Sequence, residues 1–319
     1  MGAKGKSKSR RPKSAADAEK PSALPRVALA VCVVCGLGTL GLRRLRLGGG
    51  GGDRGADPGV DRLTVRETVA RRTRRVACAS GSACGARSCD RVVVDDFLSD
   101  DEVDALRAIA QIGMEAAAAD ADAGGPTIFD INSGFTMAPG ARLANVYGRD
   151  GESGPPLFAK ADFELYRSVI TRLKAEVEAV AKAESPLYFT APTFLTRLSG
   201  KNATWVPAED HDVYWTMHVD RDNTDHYEYS GLLYLSDYGT DFGGGLFTFE
   251  DGAAVEPKRG RLSMFASGPE NRHQVQPVTA GERLTLSFWF ACDAAYEFAD
   301  FLDGKAHFKY REPGPRGDL

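Results

Sequence analysis

Residues 282–292 read ERLTLSFWFAC, a stretch in which β-branched, aromatic and polar residues alternate. Such a pattern is typical of a β-strand with one buried face. Further segments of this kind precede it, separated by turns rich in Gly and Pro: PTFLTRLS (192–199), YWTMHVD (214–220), EYSGLLYLS (228–236), GGLFTFE (244–250), GRLSMFAS (260–267) and HQVQPV (273–278). Short strands at this spacing predict a sandwich or jelly roll.

Two helical segments come before these strands. Arg91 to Val94 predicts a short strand, after which Ser99 and Glu102 form a capping box ahead of an apolar periodic run. Residues 162–184 predict a longer helix that Pro186 stops, with one apolar face made of Phe163, Tyr166, Val169, Ile170, Leu173, Val177 and Val180. Because the helices precede the strands rather than alternate with them, the fold class is mainly β with flanking helices, and not a βαβ sheet.

The N-terminus predicts a single membrane span. Residues 1–26 are polar and basic, and residues 27–42 carry no charge. As a helix the uncharged stretch would measure about 24 Å, short of the usual span but tolerable where flanking arginines snorkel. A cleaved signal peptide and a buried helix are the alternatives, but the basic region is long and no A-x-A site follows. We therefore predict an uncleaved signal anchor.

Positive charge sets the predicted orientation of this anchor. Eight Lys or Arg residues precede the span, so the N-terminal side should remain cytoplasmic. The body would then face the lumen of the endoplasmic reticulum or Golgi, as in a single-pass type II membrane protein. Asn202-Ala203-Thr204 is an N-glycosylation sequon, which agrees with that compartment.

The charge of the chain differs between its two ends. Residues 1–75 hold 18 Lys/Arg against six Asp/Glu, whereas the remaining residues hold 22 against 38. An acidic body offers no footprint for nucleic acid, which requires a clustered basic face. We divide the chain into a basic tail (1–26), the anchor (27–42), a flexible linker with five consecutive glycines (43–77), a catalytic domain (78–295) and a C-terminal tail (296–319).

Four cysteines lie beyond the span: Cys78, Cys84, Cys89 and Cys292. An even number allows three disulfide pairings, and disulfides persist in an oxidising lumen. A zinc cluster is the alternative, although the C-x5-C-x4-C spacing lacks the usual C-x2-C element. The pairing stays open at the level of the sequence.

The stretch 214–220 carries candidate metal ligands. In a strand, His218 and Asp220 would point to the same face because they are two residues apart. His273 opens a later strand and supplies a third ligand. Two histidines and a carboxylate form the facial triad of non-haem Fe(II) oxygenases, which leaves positions open for a cosubstrate and oxygen.

Arg283 follows ten residues after His273. It shares a strand face with Thr285, and a buried Arg beside a hydroxyl can hold a carboxylate through two hydrogen bonds. Tyr234, in an earlier strand, is a further possible donor. A metal site at one end and a carboxylate clamp at the other suit 2-oxoglutarate.

The order of these motifs resembles the 2-oxoglutarate- and Fe(II)-dependent dioxygenases of the prolyl 4-hydroxylase type. The motifs are HxD (218–220), FGGGLFTF (242–249), GRLSMFASG (260–268) and H-x9-R (273–283), and the likeness extends over about residues 90–295. The resemblance implies a double-stranded β-helix, or jelly roll, in which His218, Asp220 and His273 bind iron and act in catalysis. It also implies that Arg283 binds the distal carboxylate of 2-oxoglutarate, with O2 as cosubstrate and L-ascorbate bound as an accessory reductant.

Two positions depart from the pattern. Collagen-type prolyl hydroxylases mostly carry Lys where Arg283 stands. Many members also place a Tyr on the strand before HxD, where this chain reads FLTRLS (194–199), so that contact is unassigned. Both differences bear on the identity of the substrate. We expect a protein, peptide or glycan of the secretory pathway, and in the first place a protein or peptide that the enzyme hydroxylates.

Two alternative functions remain. The domain could be a catalytically silent jelly-roll binding module that retains the metal site, or a zinc hydrolase that uses the same triad. Asp241-Phe242-Gly243 spells a kinase motif, but no HRD loop, VAIK strand or Gly-rich loop accompanies it. We expect His211 and His226 to be loop residues, and Trp205, Trp215 and Trp289 to serve packing.

Overall fold

The computed structural model describes residues 64–66, 68–79, 84–85, 87–116, 124–139, 142–147, 157–190, 192–202, 204–208 and 212–298. The predicted basic tail (1–26), the predicted anchor (27–42) and all but the first residues of the predicted C-terminal tail lie outside these ranges. Across the ranges given, no helix is both long enough and apolar enough to cross a membrane.

The described chain is mainly β-structure with few helices, consistent with a jelly roll. Its strands are β1 (Thr64–Val65), β2 (Arg72–Arg74), β3 (Arg91–Val94), β4 (Gly125–Phe129), β5 (Phe135–Ala138), β6 (Arg142–Asn145), β7 (Tyr188–Phe189), β8 (Phe194–Ser199), β9 (Tyr229–Tyr234), β10 (Phe242–Gly244), β11 (Phe247–Phe249), β12 (Ala254–Val255), β13 (Leu262–Ala266), β14 (His273–Val275) and β15 (Val278–Ala291). Its helices are α1 (Asp100–Glu115), α2 (Lys160–Ala181) and the four-residue α3 (Asp220–Asn223).

The strands form a large and a small sheet. The large sheet has the order β2-β3-β13-β9-β15-β8-β4-β5-β6, and both β7 and β10 pair with β15. The small sheet has the order β1-β12-β11-β14. Neighbouring strands are antiparallel except β1 and β12, which are parallel. Strand β15 lies at the centre of the large sheet between β9 and β8, and residues 283–291 of it are largely buried.

Apolar side chains fill the space between the two sheets. This cluster contains residues of the small sheet and of strands β3, β9 and β13, namely Val65, Val93, Tyr234, Phe247, Phe249, Ala253, Val255 and Phe265. A phenylalanine buried in this way stabilises the fold by roughly 1.5–3 kcal/mol. The cluster therefore fixes β14 of the small sheet, which begins at His273, against the large sheet.

The helices cover the other face of the large sheet, largely as the sequence predicts. Ser99 Oγ accepts a hydrogen bond from the Glu102 N–H at 3.3 Å, while the Glu102 carboxylate accepts from the Ser99 N–H at 3.0 Å, which confirms the capping box. Helix α2 buries each residue of its predicted apolar face. It ends at residue 181, three residues early, because the N–H groups of residues 184 and 185 bond instead to the Cys84 carbonyl.

The segment 64–74 corrects the predicted linker. The sequence assigns it to a flexible stretch, but it contributes β1 and β2. Its backbone has fixed partners: Arg261 Nη1 donates to the Val65 carbonyl at 2.8 Å, and the Val69 N–H donates to the Asp95 carboxylate. At the other end, the Phe298 N–H bonds to the Phe189 carbonyl at 2.9 Å, so the folded part extends beyond residue 295.

The four cysteines are paired as Cys78–Cys89 and Cys84–Cys292. The first bond closes a short loop ahead of β3, and the second joins that loop to the residue after β15. The structure therefore selects one of the three pairings that the sequence leaves open. It also leaves none of these thiols free for a zinc cluster.

Candidate active site

His218, Asp220 and His273 lie together, as the sequence predicts. Asp220 Oδ1 is 3.4 Å from His218 Nε2 and 3.8 Å from His273 Nε2, and the two imidazole centroids are 4.5 Å apart. The three ligand atoms are all within 4.8 Å of one another, close enough to contact one metal ion. Asp220 and His273 are buried, whereas the His218 side chain is 33% exposed.

The backbone around these residues differs from the predicted strand. His218 makes only an isolated antiparallel bridge with His273, through hydrogen bonds of 2.9 and 3.0 Å between their backbones. Asp220 is the first residue of α3, and its carbonyl accepts from the Thr224 N–H. The expectation that His218 and Asp220 share a strand face was therefore wrong. The chain turns after Val219, and this turn brings the carboxylate beside the imidazole.

Each imidazole is held by its other nitrogen. His218 Nδ1 lies 2.8 Å from the Thr216 carbonyl, and His273 Nδ1 lies 2.8 Å from the Asn271 carbonyl. A carbonyl can only accept, so both Nδ1 atoms carry the proton in the neutral rings. Both Nε2 atoms then present lone pairs toward Asp220, which is the tautomer a metal ligand requires.

The surroundings shift the pKa of the three residues in different directions. Burial lowers the pKa of His273 to about 4, so its imidazole is neutral at physiological pH. Burial alone would raise the pKa of Asp220, but the nearby His273 and His218 outweigh it and hold that pKa well below its ordinary value. Burial likewise opposes protonation of His218, yet the hydrogen bond and charge of Asp220 raise its pKa. An ionised carboxylate thus faces two imidazoles.

A cavity of about 370 Å³ opens beside the triad. Its lining includes the three candidate ligands and Arg283. Apolar and aromatic side chains also line it, among them Pro126, Ile128, Met137, Phe194, Val213 and Trp289. The size, and the combination of an apolar lining with titratable groups, are those of a small-molecule site.

Arg283 occupies this cavity as a buried cation. It is 2% exposed, and its Nη1 donates to Thr285 Oγ1 at 2.8 Å. Its guanidinium carbon lies 5.4 Å from the centre of the Tyr234 ring. Among the described residues, Nε and Nη2 of Arg283 and the Tyr234 hydroxyl have no hydrogen-bond partner, and no carboxylate pairs with this arginine. Buried charges are normally paired, so the arrangement fits a carboxylate ligand.

Thr285 and Tyr234 are placed beside Arg283, as the sequence predicts, but stand behind it rather than on the cavity wall. Both are fully buried, and burial raises the pKa of Tyr234 to about 12. Tyr234 therefore keeps its proton and is a donor. Burial also lowers the pKa of Arg283, although that pKa starts far above the physiological range.

The glycines of FGGGLFTF make room for this arginine. Gly245 has φ +65°, and a Cβ there would lie 3.1 Å from Arg283 Cδ and 2.9 Å from Val278 Cγ2. The pairing of β10 with β15 shifts register between Gly243 and Gly244, an irregularity that glycine accommodates in a strand. Asp241-Phe242-Gly243 is thus part of a strand edge and not a kinase element.

Tyr214 is a site residue that sequence reasoning missed. It lines the cavity, and its hydroxyl accepts a hydrogen bond from the Val278 N–H at 2.9 Å. The hydroxyl proton remains available to a ligand beside Arg283, and burial raises the pKa of Tyr214, so that proton is retained. The residue was visible in YWTMHVD, but its position depends on an irregular loop that no periodicity reveals.

The predictions for the tryptophans and for the two other histidines are only partly confirmed. Trp289 packs against Phe194 and Tyr227 but also lines the cavity, so its assignment to packing alone was incomplete. Trp205 and Trp215 pack on each other with centroids 6.4 Å apart. His226 stacks on Tyr296 at 3.8 Å and does not line the cavity, while His211 falls outside the described residues.

The fold and this site define a class: the non-haem Fe(II) oxygenases, whose metal is held by two histidines and one carboxylate. The sequence profile of the 2OG-Fe(II) oxygenase superfamily matches residues 207–291. The chain is 35% identical over 246 residues to 2-oxoglutarate and iron-dependent oxygenase domain-containing protein 3 of Xenopus tropicalis, covering 74% of this chain and 75% of that protein.

Two human proteins extend the comparison. The Homo sapiens protein of the same name is 36% identical over 259 residues, which cover 77% of this chain and 79% of that protein. Prolyl 3-hydroxylase 1 of Homo sapiens is 28% identical over 233 residues, which cover 66% of this chain and 29% of that protein. The chain belongs to the 2OG-Fe(II) oxygenase superfamily and is a 2-oxoglutarate-dependent dioxygenase.

Proposed function

We propose that this dioxygenase hydroxylates an uncharged residue of a protein or peptide, with Fe(II) held by His218, Asp220 and His273 and 2-oxoglutarate held by Arg283. The observation that carries the proposal is the unpaired, buried guanidinium of Arg283 in the cavity that the three ligands line. A dicarboxylate can neutralise it while its other end reaches the metal.

Separate residues hold the metal ligands in place and bind the cosubstrate. The Thr216 and Asn271 carbonyls keep both histidines in the ligating tautomer, and Asp220 supplies a negative charge. Arg283 and Tyr214 orient the distal carboxylate of 2-oxoglutarate. When bound, the iron supplies the oxygen chemistry that converts 2-oxoglutarate and O2 to succinate and CO2 with hydroxylation of the substrate. L-Ascorbate as the accessory reductant belongs to the same proposal.

The cavity wall supports an uncharged substrate residue. The charged or titratable side chains along it, within the described chain, are the three candidate ligands, Arg283 and Tyr214. Within the described part of the lining, Ile128, Met137 and Phe194 offer apolar contacts, and no carboxylate besides the candidate ligand Asp220 is present to receive a lysine. A proline or an aliphatic side chain fits this wall because burying a charge without a partner is costly.

Turnover of 2-oxoglutarate to succinate with Fe(II) tests the enzymatic proposal, and peptide libraries with proline, leucine, lysine or aspartate test the substrate class. We expect coupled hydroxylation of the uncharged peptides. His218→Ala and His273→Ala should each remove most Fe(II) binding and turnover, because two ligands hold a labile divalent ion poorly. Wild-type iron affinity in either variant would contradict the ligand assignment.

We further propose that the body lies in the lumen of the secretory pathway behind the anchor at 27–42. Two features support this. The described cysteines are disulfide-bonded, and Thr204 of the sequon is exposed beside a half-buried Asn202. Protease added to intact microsomes should spare the body and trim only the N-terminus. Digestion of the body without detergent would contradict this orientation, and loss of mass on deglycosylation would report a glycan at Asn202.

A further inference from the structure

Arg91 is a buried arginine with no role in the site described above. It opens β3 and is 4% exposed, with its guanidinium carbon 3.7 Å from the centre of the Phe249 ring. Its Nη1 donates to both carboxylate oxygens of Asp251 at 2.9 Å, and its Nη2 donates to the Glu270 carbonyl at 3.0 Å. The third nitrogen, Nε, bonds to a residue next to the metal site.

That residue is Asn271, whose Oδ1 accepts from Arg91 Nε at 2.7 Å. Asn271 is 1% exposed, and its amide nitrogen donates to the Cys89 and Ala266 carbonyls at 3.1 and 2.9 Å. The asparagine side chain thus uses both of its amide N–H groups and accepts at Oδ1, and these three bonds hold its rotamer. Its own backbone carbonyl is the group that accepts from His273 Nδ1.

The chain of contacts runs from a surface carboxylate to a candidate ligand. Asp251 orients Arg91, Arg91 fixes Asn271 and the preceding Glu270 carbonyl, and Asn271 orients the His273 ring. Phe249 lies under the guanidinium and is the strand partner of His273 in the β11–β14 pair. Two separate paths therefore connect Arg91 to the same imidazole.

We propose that Arg91 is a positioning residue of the metal centre, which sets the tautomer and orientation of His273 through Asn271 and thereby the metal affinity. This rests on the proposed assignment of His273 as an iron ligand. Groups that hold a ligating histidine by its second nitrogen change metal affinity by about 10- to 100-fold when they are removed. Arg91 does not contact His273 Nδ1 itself but acts through Asn271, whose side chain is held by three hydrogen bonds.

The test uses the full-length protein in mild detergent, with Co(II) as a spectroscopic probe of the metal site. Arg91→Gln and Arg91→Lys both lose the bond to Asn271, and the lysine variant keeps the charge and the stem on Phe249. Arg74→Gln is the matched control, since Arg74 contacts the same Asp251 at 2.9 Å but its side chain is 20% exposed, against 5% for Arg91. Co(II) affinity, the visible absorption bands of bound Co(II) and the melting temperature of the metal-free protein are measured for each.

We expect both Arg91 variants to bind Co(II) about 10- to 100-fold more weakly and with altered absorption bands. Arg74→Gln should remain within about fivefold of the wild type, as an exposed ion pair contributes little. Arg91→Gln combined with Asn271→Ala should lose less than the sum of the single losses, because both changes remove the same contact.

A purely structural role gives a different result. In that case the melting temperature falls while Co(II) affinity and absorption bands match the wild type, and the inference is wrong. If Arg91→Gln does not fold, Co(II) affinity and absorption bands of Arg91→Lys decide between the two roles. If His273→Ala binds Co(II) as tightly as the wild type, the metal site itself is misassigned, an outcome independent of any Arg91 variant.

Discussion

Arg283 is a buried cation in the cavity, and its Nε and Nη2 have no hydrogen-bond partner among the described residues. Its polar neighbours in that part of the chain are hydroxyl groups, and no carboxylate there neutralises its charge. A site with this deficit binds a matching anion strongly and discriminates against ligands that lack one. The behaviour of single residues therefore tests the cosubstrate assignment directly.

Arg283→Ala should weaken 2-oxoglutarate binding by a factor on the order of 100 or more. A buried carboxylate that loses its cationic partner costs roughly 3–5 kcal/mol, and about 1.4 kcal/mol corresponds to tenfold in affinity. Arg283→Lys should do less harm, because it keeps the charge and loses only the fork. Fe(II) affinity, measured separately, should not change. If Arg283→Ala binds 2-oxoglutarate normally, the clamp lies elsewhere.

Tyr214→Phe should weaken 2-oxoglutarate binding by about 10- to 100-fold, since a hydrogen bond to a charged group contributes about 1.5–3 kcal/mol. Tyr238 provides the control, because it packs on Phe242 with centroids 5.9 Å apart but does not line the cavity. Tyr238→Phe should leave the affinity unchanged. Equal effects of the two variants, measured by calorimetry, would mean that Tyr214 only packs.

The hairpin of β4 and β5 shows how an element can carry a pH response. Asp130 lies in its turn and accepts hydrogen bonds from Ser133 Oγ at 2.7 Å and from the Asn132 N–H at 2.9 Å. Burial raises the pKa of Asp130 to about 6 in spite of these bonds. The same hairpin places Ile128 and Met137 on the cavity wall, so its stability bears on the substrate side of the site.

Asp130 should make the fold less stable as pH rises from about 4 to about 6. Its pKa is raised in the folded state, so the folded protein binds the proton more tightly and loses that advantage on deprotonation. The difference is roughly 3 kcal/mol, at about 1.36 kcal/mol per pKa unit. Asp130→Asn should lack this decrease in urea unfolding at pH 4 and pH 7.5, whereas Asp225→Asn, with a fully exposed side chain, should retain it. Parallel profiles for Asp130→Asn and the wild type would refute the assignment.

Gly113→Ala should destabilise the protein although alanine favours helices. Gly113 faces Phe129 across the contact of α1 with β4, and a Cβ there would lie 2.4 Å from the ring. Overpacking of this kind costs about 1–3 kcal/mol, more than the roughly 1 kcal/mol gained in helix propensity. Gln111→Ala, on the exposed face of the same helix, is the control. A higher melting temperature for Gly113→Ala would show that Phe129 moves aside.

The elements that the sequence predicts well are those with local signals. The capping box of α1, the apolar face of α2 and the alternation of β15 depend on neighbours within a few residues, and β15 places Arg283 beside Thr285 as alternation requires. Strands β1 and β2 have two and three residues, too few for any period, and their partners Arg261 and Asp95 are distant in sequence. The turn at Asp220 was missed for the same reason.

At the scale of the whole molecule, the ends of the domain are joined. Cys84–Cys292 links residues 208 positions apart, whereas Cys78–Cys89 links residues 11 apart. The long link ties the loop before β3 to the end of β15, the central strand that carries Arg283. It therefore holds the strand of the proposed carboxylate clamp against the N-terminal edge of the fold.

Removal of the long disulfide should cost more stability than removal of the short one. In the chain-entropy description, closing a loop of about 200 residues stabilises by roughly 5 kcal/mol, and closing one of about 12 residues by roughly 3 kcal/mol. Cys84→Ser with Cys292→Ser should lower the free energy of unfolding by about 2 kcal/mol more than Cys78→Ser with Cys89→Ser. Urea unfolding of the two double variants, each compared with the wild type, measures this difference. If the short-loop variant is the less stable of the two, local packing around Cys89 outweighs loop closure, and the long link is not what holds the domain together.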